Sequence, residues 1–397
     1  MNIYGASVWM NSMRKIVLLA SILSFLIHCG PKRDEMDQIT ANKVDVVNNP
    51  LEPYKIPGVP STLHFDEEFT IDTEKEEMVQ IGLTDLGHYF DVDIDGNIYL
   101  VVPKSKKNII FKFDRNGIPI SSFGRYGKGP GEIISRPFPP LFITTNSNDE
   151  LMVTNFYGRN LVYFSKEGGF LKAVKLESNL FVVTPLQNGN LLVYGQPKGS
   201  FSFGYGTPLI ICDENFNVIK ELGLRKMPSE FEENRIKGIY YTLSWAISED
   251  MIYVGKQEEG YEIKVYDLDG HLIRKIKKEY IAVPITEEYK MRYLAIYENF
   301  KRLLNKFYFP QNFPPYHSFF SDGKGRLYVM TYEEGEQPGE YIYDIFNRDG
   351  GFISRKSIGI YHHPDGLFAM IKDNHLYCQR EKESGLRKLV VYRMRWE

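Results

Sequence analysis

The chain has 397 residues, 43% of them hydrophobic and 14% aromatic, which is enough to bury a large core and excludes wholesale disorder. A formal charge of -3 gives no electrostatic footing for nucleic acid. The three cysteines, Cys29, Cys212 and Cys378, are too few for a disulfide framework or a zinc ligand set, and the last two sit in strand-like runs that read as buried free thiols.

The first element is an address. Met13-Arg14-Lys15 precedes the apolar run Ile16–Ile27, followed by His28-Cys29-Gly30. A basic region before about a dozen apolar residues has the form of a secretory signal, short of the ~20 residues that span a bilayer. Leu26-Ile27-His28-Cys29 resembles a bacterial lipobox, with His28 where a small residue is usual. The resemblance implies lipidation of Cys29, residues 1–29 being the signal and lipobox, and Gly30 implies the outer membrane by the same analogy. The alternative is an uncleaved apolar anchor. Residues 30–60 are polar and punctuated by Pro50, Pro53, Pro57 and Pro60, and read as a flexible tether.

From 61 to 397 the sequence predicts strands only, with one interruption. Thr62–Ile71 is strand-like and stands apart from any hairpin. From Phe90 to Gly124 come four short β-rich runs, separated by Asp95-Gly96-Asn97, a polar Pro103–Asn108 loop and Asp114-Arg115-Asn116-Gly117. Turns of this composition between β-branched and aromatic runs signal hairpins, so the unit is an antiparallel four-stranded meander. It recurs from Phe142, Phe181, Leu243 and His317, with turns at Asn148-Asp149, Asn188-Gly189, Asp269-Gly270 and Asp349-Gly350. A sixth unit, from Gly366, stops after three strands. No such sheet buries both faces alone, so the units must stack, and Thr62–Ile71 supplies the missing strand of the last. The predicted fold is all-β: a six-bladed β-propeller of four-stranded antiparallel blades, closed by an N-terminal strand. Two unrelated β-sandwiches are the alternative.

The run Phe123-Gly124-Arg125-Tyr126-Gly127-Lys128-Gly129-Pro130-Gly131-Glu132 resembles the G-x-G-P-G-E signature of six-bladed β-propeller lipoproteins of Bacteroidetes-like bacteria, relatives of NHL-repeat propellers. The resemblance implies the fold and an envelope location, and no agreed activity. A phosphate-loop reading fails for want of the Lys-Ser/Thr pair and a following helix.

In a meander the first-to-second and third-to-fourth turns lie at one end, and the second-to-third loops and crossovers at the other. The first end has tight Asp/Asn/Gly turns, and the second has the long segments, where binding usually resides. One of these, Val283–Tyr316, holds an amphipathic helix over about 286–307, capped by Thr286, with Tyr289, Tyr293 and Phe307 among its apolar positions. It packs on the rim or lies as a lid over the channel mouth. His88, His317 and His362-His363 fall just before innermost strands, and Trp245 lies within one, so all approach the channel at the loop-rich end. Three imidazoles converging there suit a metal ion such as zinc. Arg125, Lys128, Arg159 and Lys198 share that face with Tyr126, Phe156, Tyr157 and Tyr205, a mixture that suits sugars or carboxylated ligands. Asp91 and Asp93 give no matched carboxylate pair for glycoside hydrolysis, and no G-x-S-x-G or H-E-x-x-H occurs.

The expected function is an exported, membrane-anchored binding module, monomeric, without a required cofactor, whose loop-rich face holds a glycan, a peptide or an envelope protein. Its ligand-facing residues would be His88, Arg125, Tyr157, Arg159, Trp245, His317 and His363. The alternative is a metal-assisted lyase or hydrolase at the channel mouth, with calcium or zinc bound.

Overall fold

A computed structural model describes residues 44–397, apart from 56, 59, 88, 104, 106, 135–140, 147, 178–179, 197–205, 226–234, 296–303, 361, 364–365 and 368, and apart from the side chains at 362–363 and 366–367. The signal, the lipobox and Cys29 lie outside the described residues. Val46–Glu397 is one compact unit.

Six antiparallel sheets form the blades. Their inner strands are, in order, Phe90–Val92, Leu141–Thr145, Leu180–Pro185, Leu243–Ile247, Ser318–Ser321 and Ala369–Lys372, and the first three strands of each sheet run outward in chain order. Blade 6 has three strands from the chain end, and its fourth is Leu63–Asp72. That strand pairs with Arg387–Trp396, setting Phe65 opposite Met394, Phe69 opposite Val391 and Thr70 opposite Val390. The closing strand is therefore where the strand count required it.

Six of the tight turns share one construction: the residue that opens the turn accepts, through its side-chain oxygen, the backbone N–H groups two and four positions on. Asp93, Asp114, Asn146, Asp213, Asp267 and Asp322 all do this. The side chain replaces bonds that the reversing backbone cannot make. The fourth residue is left-handed, so it is Gly96, Gly117, Gly270 or Gly325 in four of these turns, and Asp149 or Phe216 in the other two.

Among the described residues, buried apolar side chains fall into six clusters, one per junction between neighbouring blades. Met152, Leu161, Val193 and Ile210 join blades 2 and 3. Tyr253, Ile263, Val329 and Phe346 join blades 4 and 5. The junction that closes the circle packs Leu389, Val391 and Ile71 of blade 6 against Val92, Ile98 and Phe113 of blade 1. Each blade thus buries one face on each neighbour. Cys212 and Cys378 are buried and free, and burial pushes their thiols up to about 11 and about 12.

Three elements differ from expectation. Part of the expected tether is a strand: Asp45–Asn49 lies on the outer edge of blade 4 as a fifth strand. Asn49 anchors it, donating from Nδ2 to the carbonyls of Lys277 and Gly350 and accepting the Phe352 N–H. A polar strap held by one asparagine leaves no hydrophobic period to read. A short helix, α1 (Glu76–Ile81), lies in the crossover from blade 6 to blade 1 and ends at left-handed Gly82. The predicted helix over 286–307 begins as stated, as α2 (Glu287–Ala295), with the Tyr289 N–H bonded to the Thr286 hydroxyl. Residues 296–303 lie outside the described residues, Leu304 is again helical, and Phe307–Tyr308 is a strand that pairs in parallel with Ile236–Lys237. Among the described residues no helix is long and apolar enough to cross a membrane.

Candidate functional site

Three aromatic residues of blade 3 and its neighbours meet at the loop-rich end because their strands start or finish there. Phe156 follows the second strand of blade 2 (Leu151–Asn155), Phe181 lies at the start of the inner strand of blade 3, and Tyr194 lies near the end of its second strand, Leu191–Gly195. Trp245 lies on the inner strand of blade 4. Radial packing turns these positions into one continuous arc. Tyr157 stands edge-on to Phe156 at 5.2 Å between ring centroids, and Phe156 stacks on Phe181 at 4.4 Å. Phe181 then reaches Tyr194 at 5.9 Å, and Tyr194 reaches Trp245 at 4.8 Å. Tyr157 is exposed and the other four are half-buried. An arc of half-exposed rings presents apolar faces with polar edges, the usual lining of a binding cleft.

Two of the expected ligand-facing residues, Tyr157 and Trp245, are thus brought together as the ends of this arc. Arg159 is exposed at the same blade 2 loop, in a left-handed conformation. Arg125 is not part of it. It is 71% exposed, and its Nε holds Glu132 Oε1 at 2.8 Å. The other Glu132 oxygen accepts the Gly129 N–H, and Arg125–Tyr126 pairs in parallel with Glu132–Ile133. A side chain at Gly127 would strike the Glu132 carboxylate at 1.9 Å. The glycine signature is therefore a knot closed on its own carboxylate, in the crossover between blades 1 and 2. The Gly129 amide donor and the Arg125 guanidinium hold that carboxyl below its ordinary range.

His317, expected to approach the channel at the loop-rich end, is only 8% exposed. Its Nδ1 lies 2.9 Å from the Ser318 hydroxyl, and its ring stands edge-on to Tyr332. Tyr332 stacks on Phe313 at 4.3 Å, which meets Tyr289 of α2 at 4.8 Å. His317 belongs to the aromatic packing that ties α2 to blade 5. Its carbonyl accepts from Gln257, a buried residue that sequence reasoning passed over. Gln257 also accepts the Thr242 N–H. Gln379 does the same work two junctions on, donating to the Gly87 carbonyl and accepting from Arg387. Both glutamines hold the backbone just before an inner strand, and nothing in their local sequence marks them.

His88, Lys198, Tyr205 and the side chain of His363 lie outside the described residues. Among those described, no group of three His, Cys, Asp or Glu side chains is placed to hold a metal ion. The carboxylates of Asp91 and Asp93 are engaged separately. Asp91 accepts from the Thr145 N–H and hydroxyl of blade 2, whereas Asp93 accepts from Asn97 and Tyr99 within its own hairpin.

Residues 85–353 match the family described as 6-bladed beta-propeller (DUF5128). Among solved structures, the fold is similar to a Bacteroides fragilis protein described as exported. That likeness has a TM-score of 0.52 at 10% identity, over 89% of this chain and 99% of that one. A member of the duf4221 family from Bacteroides vulgatus gives a TM-score of 0.51 at 14% identity, over 85% of this chain and 99% of that one. At such identities the likeness concerns the fold alone. No curated protein matches the chain.

Proposed function

This chain belongs to the 6-bladed beta-propeller family, and from that premise we propose that it is an exported binding module that holds a glycan on its loop-rich face. The observation that carries the reading is the arc from Tyr157 to Trp245. Ring faces that are half-exposed and mutually braced offer stacking area at little entropic cost. Arg159, beside the arc, suits an acidic or hydroxyl-rich partner. A peptide is the competing ligand for the same surface.

Binding is tested by titrating the native chain and its variants with soluble oligosaccharides and with proline- or aromatic-rich peptides in a calorimeter, following the heat of binding. The expected result is a saturable change with oligosaccharide that weakens at least about tenfold (about 1.4 kcal/mol) in Trp245→Ala and in Tyr157→Ala. Peptide-only binding that both variants weaken would replace the glycan with a peptide. Unchanged binding in both variants would sink the site itself, as would metal-dependent turnover.

The proposal includes anchoring at Cys29 to the outer membrane. The basic-apolar-cysteine order supports it, and a similar fold in a protein described as exported agrees with envelope location. Cys29→Ala is expected to move the protein from the membrane fraction to the soluble one. Retention in the membrane would refute lipidation.

A further inference from the structure

Blades 1 to 5 each join their third and fourth strands by a tight turn, and each turn meets the outer strand of the blade before it. Four of these turns make the approach through a left-handed glycine. A side chain on Gly117 of blade 1 would strike Phe69 of blade 6 at 2.5 Å, and one on Gly168 of blade 2 would strike Phe123 of blade 1 at 2.5 Å. A side chain on Gly270 of blade 4 would meet Lys220 of blade 3 at 2.8 Å, and one on Gly350 of blade 5 would meet Ile276 of blade 4 at 2.8 Å. The missing Cβ is what lets these turns close on their neighbours.

Blade 3 departs from this. In its turn Phe216 holds the same position, with φ 63°. A left-handed backbone crowds the Cβ of any L residue, so a bulky aromatic held there is a strained exception, and strain of this kind gathers at functional sites. Between this turn and the outer strand of blade 2 lies a cavity of about 250 Å³, lined in part by Phe216. Leu176, Leu180, Val193, Ile210 and Cys212 form its apolar walls, and each is buried. Lys175, Glu177, Glu214 and Asn215 also line it and are exposed, which sets them at its mouth.

We propose that this cavity binds a free α-amino acid with an apolar side chain, such as phenylalanine or leucine. An apolar cavity of about 150 Å³ holds benzene, so the larger one here takes a ring together with the start of a polar head. The mouth carries both signs of charge, as a zwitterion requires. Among the described residues neither Lys175 nor Glu214 has an ion-pair partner. Lys175 suits the ligand carboxylate, Glu214 the ammonium group, and Asn215 either one. Glu177 adds a second carboxylate, which disfavours an acid that lacks the amine. The site is separate from the aromatic arc and does not depend on it.

Calorimetric titration of the full-length protein in mild detergent with L-phenylalanine tests the proposal. The expected result is saturable binding, at least about tenfold tighter than that of phenethylamine or 3-phenylpropionate, each of which keeps the ring and loses one charge. Cys212→Leu places a larger side chain in the cavity wall, and Phe216→Gly gives this turn the residue of the other four. Each is expected to weaken binding at least about tenfold. Cys212→Leu leaves the turn intact, so the test stands even if Phe216→Gly fails to fold. No saturable heat with L-phenylalanine would overturn the proposal. Binding unchanged in Cys212→Leu would overturn its location. Phenethylamine or 3-phenylpropionate binding as tightly as L-phenylalanine would overturn the zwitterionic head.

Discussion

Asp91 lies on the inner strand of blade 1, among the other inner strands, with Thr145 of blade 2 and Lys372 of blade 6 around it. Removal from water holds its carboxyl above the ordinary aspartate range, against the Thr145 hydrogen bonds and the Lys372 charge. An acid whose folded pKa is raised takes up a proton more readily folded than unfolded. Its contribution to stability is therefore greatest at low pH and falls as pH rises through the raised pKa. Asp91→Asn keeps an acceptor for Thr145 and removes the charge. The variant is expected to melt about 1–3 °C above the native chain at pH 7. That gain should shrink as pH falls toward the ordinary aspartate range. A variant that melts lower at pH 7, or a difference that ignores pH, would contradict this account of Asp91. The buried Asp344 has a different fate. Lys278 at 3.4 Å, Arg355 at 3.0 Å and the Tyr261 hydroxyl at 2.8 Å surround it at the junction of blades 4 and 5. Its polar neighbours satisfy one another, and the cluster reads as a fastening between blades rather than a reactive centre.

Strands and tight turns were legible in the sequence because their signals are local. An Asp or Asn opening a turn and a Gly three residues later lie within one hairpin, and the side chain's bonds to the next backbone amides need no distant partner. The closing strand was legible by subtraction, since a sixth unit with three strands needs a fourth. The strap Asp45–Asn49 was not, because its hold depends on Asn49 reaching carbonyls near residues 277 and 350. The helix start was legible from Thr286, whereas the pairing of Phe307–Tyr308 with a segment some seventy residues earlier in the chain was not. The site divides in the same way. Tyr157 and Trp245 stood out as aromatics on loop-rich ends, whereas Phe181 and Tyr194, which join them, look like ordinary strand residues. The glycine signature marked a structural knot, because its anion-binding geometry is satisfied by Glu132 of the same loop.

At the scale of the molecule, one arrangement explains both the stability and the site. Each blade is too thin to bury its own faces, so the six junction clusters form only if the circle is complete. The arc exists only because blades 2, 3 and 4 stand side by side at fixed angles. Completion rests on the strand Leu63–Asp72, whose Leu63 and Ile71 are fully buried and contribute about 3–6 kcal/mol together. Its loss would also uncover the edge of Arg387–Trp396, with Val391 in the blade 6 to blade 1 cluster. Such a loss is a large share of the ~5–15 kcal/mol that stabilises a folded domain. The most direct measurement is calorimetric unfolding of the chain with and without Thr62–Ile71. The closed circle predicts one cooperative transition in the intact chain, and in the shortened one its disappearance or a fall of about 10 °C or more. An unchanged melting temperature after the deletion would contradict it.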